Sequence, residues 1–192
     1  MRAALAACLL AAACSGGSVA PEVIPSASPE PHVLPAGTSG LALAPGTYYS
    51  PVDFVPPLAL GVPAGWSSAR RGDDAFDLSR PGLVVVFDTP DGETVRPVLH
   101  RLRTTAPKAV SVTSTLLGQP ATGFDASGGS GELLRSPSGT IALDYAAGQQ
   151  VRVLGADVDG VPLLAVVLVL DGKQWNALLP QAMALLGAVT PG

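Results

Sequence analysis

A hydrolytic triad needs a nucleophile, an imidazole and an orienting carboxylate. The chain has two histidines, His32 and His100. His100 sits in RPVLHRLR, flanked by cations and not by an acid. GGSGE around Ser130 lacks the strand–turn–helix setting of a nucleophile elbow. Paired carboxylates for glycoside chemistry would have to come from Asp73, Asp74, Asp77, Asp88 or Asp91. Those acids cluster with glycine and proline, which is also what turn chemistry produces. DVDG at 157–160 starts like a calcium loop, but the closing glutamate of such a loop would fall at Leu168, inside an apolar run. A hairpin turn accounts for it fully.

Two groups of residues suit binding better than bond-breaking. Tyr48, Tyr49 and Trp66 are large aromatics in a chain where aromatics make up only 5%, and together they would form a surface for a ligand or partner. The plainer reading of the same residues is packing at the core or rim of a sheet. Arg96, Arg101 and Arg103, with Lys108 beyond them, concentrate positive charge and would give one basic helix face. That face reads either as solvated surface or as a docking patch for an acidic partner.

The elements that must position these groups follow from periodicity. LALGV (58–62), WSSARR, DDAFDLSR, AVSVTSTLL, ATGFDAS, GTIALDY, QQVRVLGADV and VPLLAVVLVL read as strands. GLVVVFD is a continuous apolar run, as in a strand buried on both faces. Asp159-Gly160 is the strongest hairpin signal. Val95, Leu99 and Leu102 have helical spacing over 95–105 despite Pro97. Trp175, Leu178, Leu179, Ala182, Leu185 and Leu186 form one apolar stripe on a C-terminal helix, opened by a capping-box pair, Asp171 and Gln174, and interrupted by Pro180.

Hydrophobic residues make up 47% of the sequence and charged residues 14%, so a core is available. The net charge is −4, and the longest basic run is Arg70-Arg71, which excludes a nucleic-acid surface. Residues 3–14 are apolar, short of the roughly 20 needed to span a bilayer but long enough for a signal-peptide core. LLAAACSGG then resembles a bacterial lipoprotein signal, which implies that Cys14 becomes the diacylated first residue of the mature chain. Leu5-Ala6-Ala7-Cys8 fits the same box with a shorter run before it, and cleavage of an ordinary secretory signal at Ala11-Ala12-Ala13 is the rival. Two acyl chains at about 0.8 kcal/mol per buried CH2 anchor a protein stably. Residues 14–40 carry Pro21, Pro25, Pro29, Pro31 and Pro35 and no hydrophobic period, so they read as a disordered tether reaching at most roughly 80 Å. The expected organisation is therefore signal 1–13, tether 14–40 and one folded domain 41–192.

PGTYY, DFVPPLAL and VPAGW, followed by LLGQPATGFD, DVDGVPLLAVVLV and the terminal amphipathic helix, resemble a family of uncharacterised extracytoplasmic proteins of high-GC Gram-positive bacteria. The resemblance covers roughly residues 41–189, with Gly118-Gln119 where the family usually has Gly-Gly. It implies a PsbP-like α+β fold: an α/β/α sandwich with a mainly antiparallel sheet and the last helix packed on it. It carries no catalytic residues. The expectation is a cell-envelope lipoprotein on the outer face of the membrane, or a secreted one. Its role would be non-catalytic binding or scaffolding of an envelope protein or small ligand, with no cofactor and no metal. A carboxylate-based envelope hydrolase and a hydrophobic-ligand carrier are the alternatives.

Overall fold

The computed structural model describes residues 31–35, 37–72, 74–90, 92–135 and 142–192. Cys8, Cys14, the signal and residues 14–30 of the expected tether lie outside the described residues, as do Asp73 and Asp91.

The fold is α+β, with mostly antiparallel sheets and a C-terminal helix. Its strands in chain order are β1 (His32–Val33), β2 (Leu41–Ala42), β3 (Gly46–Tyr49), β4 (Leu58–Val62), β5 (Ser67–Arg70), β6 (Ala75–Arg80) and β7 (Leu83–Asp88). After helix α1 (Val95–Thr105) come β8 (Val110–Leu116), β9 (Gln119–Ser127), β10 (Gly131–Arg135), β11 (Ala142–Tyr145), β12 (Gln150–Val158) and β13 (Val161–Val169). A 3-10 turn (Gly172–Gln174), helix α2 (Trp175–Gly187) and β14 (Val189–Pro191) close the chain.

Eight strands form the main sheet in the order β2-β5-β6-β7-β13-β12-β9-β8, and every neighbouring pair in it is antiparallel. The central strands β7 and β13 alternate between two cores. Leu83, Val85, Phe87, Leu163, Ala165 and Val167 face a core shared with Leu178, Ala182, Leu185 and Leu186 of α2. Val86, Leu164, Val166 and Leu168 face a second core shared with Val95, Val98, Leu99 and Leu102 of α1. This is why GLVVVFD and VPLLAVVLVL show no polar alternation. A smaller sheet, β1-β3-β4-β14, packs its Tyr48, Leu58, Leu60 and Val189 into the α2-side core.

Local chemistry sets the connections. Asp159 (φ 51°) and Gly160 (φ 83°) both take positive φ between Val158 and Val161, the conformation that a two-residue hairpin needs. Leu117 (φ 53°) and Gly118 (φ 71°) do the same between β8 and β9, and Leu117 offsets its unfavourable backbone by burying its side chain. Pro97 falls in the first turn of α1, where its missing N–H leaves no intrahelical bond unmade. The Asp171 carboxylate accepts from the Lys173 backbone N–H and starts the turn that leads into α2.

The structure departs from the sequence expectation at three places. Backbone pairing begins at His32, inside the stretch read as tether: β1 runs parallel to β3, the Leu34 N–H donates to the Tyr49 carbonyl at 2.8 Å, and Leu34 is buried. A lone buried leucine among prolines leaves no periodic signal. GGSGE (128–132), whose composition reads as a flexible break, ends inside β10, where Gly131 and Glu132 pair with Tyr145 and Asp144 of β11. The helical segment DGKQWNALLPQAMALLGAV (171–189) ends early: Val189 opens β14 against β4.

Candidate functional site

The spacing of α1 divides its residues by direction. Val95, Val98, Leu99 and Leu102 are buried, whereas Arg96, His100, Arg101 and Arg103 are exposed. Arg96, His100 and Arg103 lie at i, i+4 and i+7, on one line of the helix. Arg101 falls off that line, and its guanidinium bonds both oxygens of Glu93 at 3.0 and 2.8 Å. The three expected docking arginines are therefore not one surface.

Gly155 brings α1 down onto the sheet. A Cβ there would lie 2.5 Å from Val95 Cγ1 and 3.2 Å from Leu99 Cδ1, so only glycine lets the helix approach β12 this closely. Gly123 on β9 is under a similar constraint, because its Cβ would meet the Val153 carbonyl oxygen. Seated this way, α1 overhangs the outer end of the sheet and leaves a cleft of about 330 Å³ between itself and β8–β9.

Arg96, His100 and Arg103 form one wall of this cleft, and the hydroxyls of Ser111, Thr113 and Thr122 lie in its lining opposite, over a floor of Leu99 and Phe124. The pairs Ser111↔Phe124 and Thr113↔Thr122 put all four side chains on the α1 side of the sheet. Among the described residues no carboxylate lines the cleft. Asp125, next along β9, points to the opposite face and is held by Arg152 through two bonds of 2.7 Å. That fork, Asp125 hydrogen bonding first among its causes, raises the Arg152 pKa above its ordinary value. The cleft thus joins cationic forks, hydroxyl donors and an apolar floor, a combination suited to an anion carrying some apolar body. Without an acid in the lining, His100 has no carboxylate there to orient it as a general base.

The aromatic trio separates. Tyr48 and Tyr49 are consecutive on β3 and face opposite ways: Tyr48 is buried with its hydroxyl donating to the Ala44 carbonyl at 3.1 Å, while Tyr49 is exposed. Trp66 is 2% exposed, with the Arg80 guanidinium 5.8 Å from its ring centroid. Tyr48 and Trp66 belong to the core, so these three residues do not line one groove.

Of the describable candidate acids, Asp77 is 3% exposed, and one of its oxygens accepts from Arg71 Nε. Asp88 is half-buried one strand away, and neither lines the cleft. A second cleft, of about 440 Å³, lies at the start of α2 and contains one acid, Asp171, whose carboxylate caps the 3-10 turn. Among the described residues no group of three or more His, Cys, Asp or Glu side chains is placed to hold a metal ion, and no helix is long and apolar enough to cross a membrane.

Sequence reasoning noted the arginines but set His100 aside and did not bring β8 and β9 to them. The available signals were the helical phase of Arg96, His100 and Arg103 and the alternating hydroxyls in VSVTSTL.

Fold and site together define an α+β domain with an open cationic cleft at one edge of its main sheet. Comparison of the chain with protein-family models and with curated proteins finds no match.

Proposed function

We propose that this protein is a non-catalytic binding module of the bacterial cell envelope, fixed to the outer face of the membrane through a diacylated Cys14. Its binding face is the α1–β8/β9 cleft, and its ligand is anionic. The observation that carries this reading is the convergence of Arg96, His100 and Arg103 with Ser111, Thr113 and Thr122 over an apolar floor, with no carboxylate among the described lining residues. The layering of one large antiparallel sheet between α1 and α2 supports a PsbP-like sandwich. The anchor rests on LLAAACSGG alone.

Each half has its own test. Titration of the full chain with inorganic phosphate, followed by NMR, is expected to give saturable shifts at Thr113 and Thr122 that disappear in the double variant Arg96→Glu/Arg103→Glu. Unchanged shifts in that variant would remove the cleft from the proposal. Mass spectrometry of the mature N-terminus is expected to show acylated Cys14, and Cys14→Ala to release the protein into the medium. A free Ser15 or an unmodified Cys14 at that terminus would overturn the anchor.

A further inference from the structure

The two edges of the main sheet are unlike. β2, at one edge, is two residues long. β8, at the other, runs for seven residues, VSVTSTL, and its register with β9 is unbroken from Val110↔Asp125 to Leu116↔Gln119. Exposed edges are normally blunted by short length, lysine, proline or a bulge. β8 has none of these.

The direction of its free backbone groups follows from the turn. Leu116 and Gln119 flank a two-residue hairpin, so they form a hydrogen-bonded pair, and so do Ser114↔Ala121, Val112↔Gly123 and Val110↔Asp125. The intervening Ser111, Thr113 and Thr115 direct their N–H and C=O groups away from β9. Among the described residues no strand occupies that side. The side chains of Ser111 and Thr113 line the cationic cleft. Open backbone groups and the cleft are thus adjacent, on the same residues.

We propose that β8 accepts an extended acidic polypeptide segment as an added ninth strand. The segment's backbone bonds to Ser111, Thr113 and Thr115, and its alternate carboxylates lie on the α1 side, beside Arg96, His100 and Arg103. This rests on the cleft being the binding face and names the ligand class it takes. Charge selects the occupant. A second copy adding through its own β8 would be related by a two-fold axis perpendicular to the sheet, which places both α1 helices on one face and brings two sets of arginines together. An acidic strand instead sets a carboxylate every second residue toward those cations.

The probe is a capped synthetic peptide alternating Glu and Thr, with a Lys/Thr peptide as control, titrated into the full chain. The Glu/Thr peptide is expected to bind and the Lys/Thr peptide not to. Thr115→Pro, at a position outside the cleft lining, removes an outward N–H while leaving the β8–β9 ladder intact, and proline is tolerated at such edge positions. It is expected to weaken peptide binding about tenfold or more while phosphate binding in the cleft persists. A second measurement uses the unaltered protein. N-methylation of alternate peptide nitrogens should abolish binding in one register and spare it in the other. Peptide binding with no such alternation would overturn strand addition and leave the cleft standing. Failure of both peptide and phosphate would overturn the two readings together. A dimer that Thr115→Pro dissolves would assign the edge to a second copy and overturn the proposal.

Discussion

On one face of the main sheet, α2 lies across its strands without a charged residue in its length, WNALLPQAMALLG. Leu178, Ala182, Leu185 and Leu186 pack into the larger core, while Trp175, Leu179 and Met183 pack against its margin. On the other face, α1 carries three arginines and a histidine, buries four residues, and stands clear of β8. Both helices are amphipathic and both dock on the same sheet, meeting at β13 from opposite faces, but α1 leaves a cleft beside itself. Buried polar atoms without a partner occur on both faces: an Asp77 carboxylate oxygen and the Tyr145 hydroxyl on the α1 side, and the Ser68 hydroxyl, paired across the strands with Leu78, on the α2 side. The contrast between the faces therefore lies in the cleft that α1 leaves beside β8 and β9, and that is where the proposed binding role belongs.

The largest expected effects separate stability from site geometry. Leu185→Ala should destabilise by about 3 kcal/mol, read by urea denaturation, and leave phosphate affinity of the remaining folded protein unchanged. Gly155→Val forces side-chain atoms into Val95 and Leu99 and should cost a similar amount, about 3 kcal/mol. It must also displace α1, so phosphate shifts at Thr113 and Thr122 should weaken. Equal effects of both variants on binding would erase the division of labour between the faces.

Next in size is the buried charge. Asp77 is paired with Arg71, whose side chain is 31% exposed. Arg71→Ala strands a buried carboxylate and should cost about 2 kcal/mol, less than a fully buried pair because water reaches the arginine side. Thermal unfolding that matches the parent would show that Asp77 has another source of compensation.

Tyr145 offers a change in the opposite direction. Its hydroxyl is buried without a partner, so Tyr145→Phe should be neutral or stabilise by up to about 1 kcal/mol. Burial raises the phenol pKa above its ordinary value of 10.0. Unfolded chains therefore ionise this group first, so its stabilising contribution is whole below about pH 10 and falls as pH rises beyond that. Urea midpoints measured from pH 8 to 11.5 should drop more for the parent than for Tyr145→Phe. Parallel curves would place the hydroxyl in contact with water.

Much of this contrast is legible in the chain, and the limits have physical causes. Both central strands announce double-sided burial through unbroken β-branched runs, and Asp159-Gly160 fixes the hairpin between β12 and β13. β1 buries neither of its two residues, the buried Leu34 following it, and β14 buries Val189 alone, so no local period reveals these short strands. The acidic residues read as turn formers because their types suit turns, yet Asp77 is inside a strand and reaches Arg71 across a chain reversal. Tyr48 and Tyr49 illustrate a period that was available: neighbours in a strand face opposite sides. The basic helix likewise has a phase, and that phase separates Arg101 from Arg96 and Arg103. What no local pattern supplies is the distance between α1 and β8, which depends on the missing side chain of Gly155.

The smallest expected effect is also the most discriminating. Arg101 and Arg103 lie two positions apart on one helix, and changing either to glutamate alters net charge by the same amount. Arg101 is exposed and paired with Glu93, a surface bridge worth about 0.2–1 kcal/mol, so Arg101→Glu should scarcely move the unfolding midpoint. If the anion responded only to the overall field of the helix, both variants would weaken phosphate binding alike at low salt. If it sits in the cleft, Arg103→Glu should lower affinity about tenfold, while Arg101→Glu changes it about twofold or less. The gap between the two variants should persist at 0.15 M salt, where the Debye length of about 8 Å screens distant exposed charges but not a direct contact. A gap that closes with added salt would reduce the cleft to a charged surface; one that stays open ties the anion to the line of Arg96, His100 and Arg103.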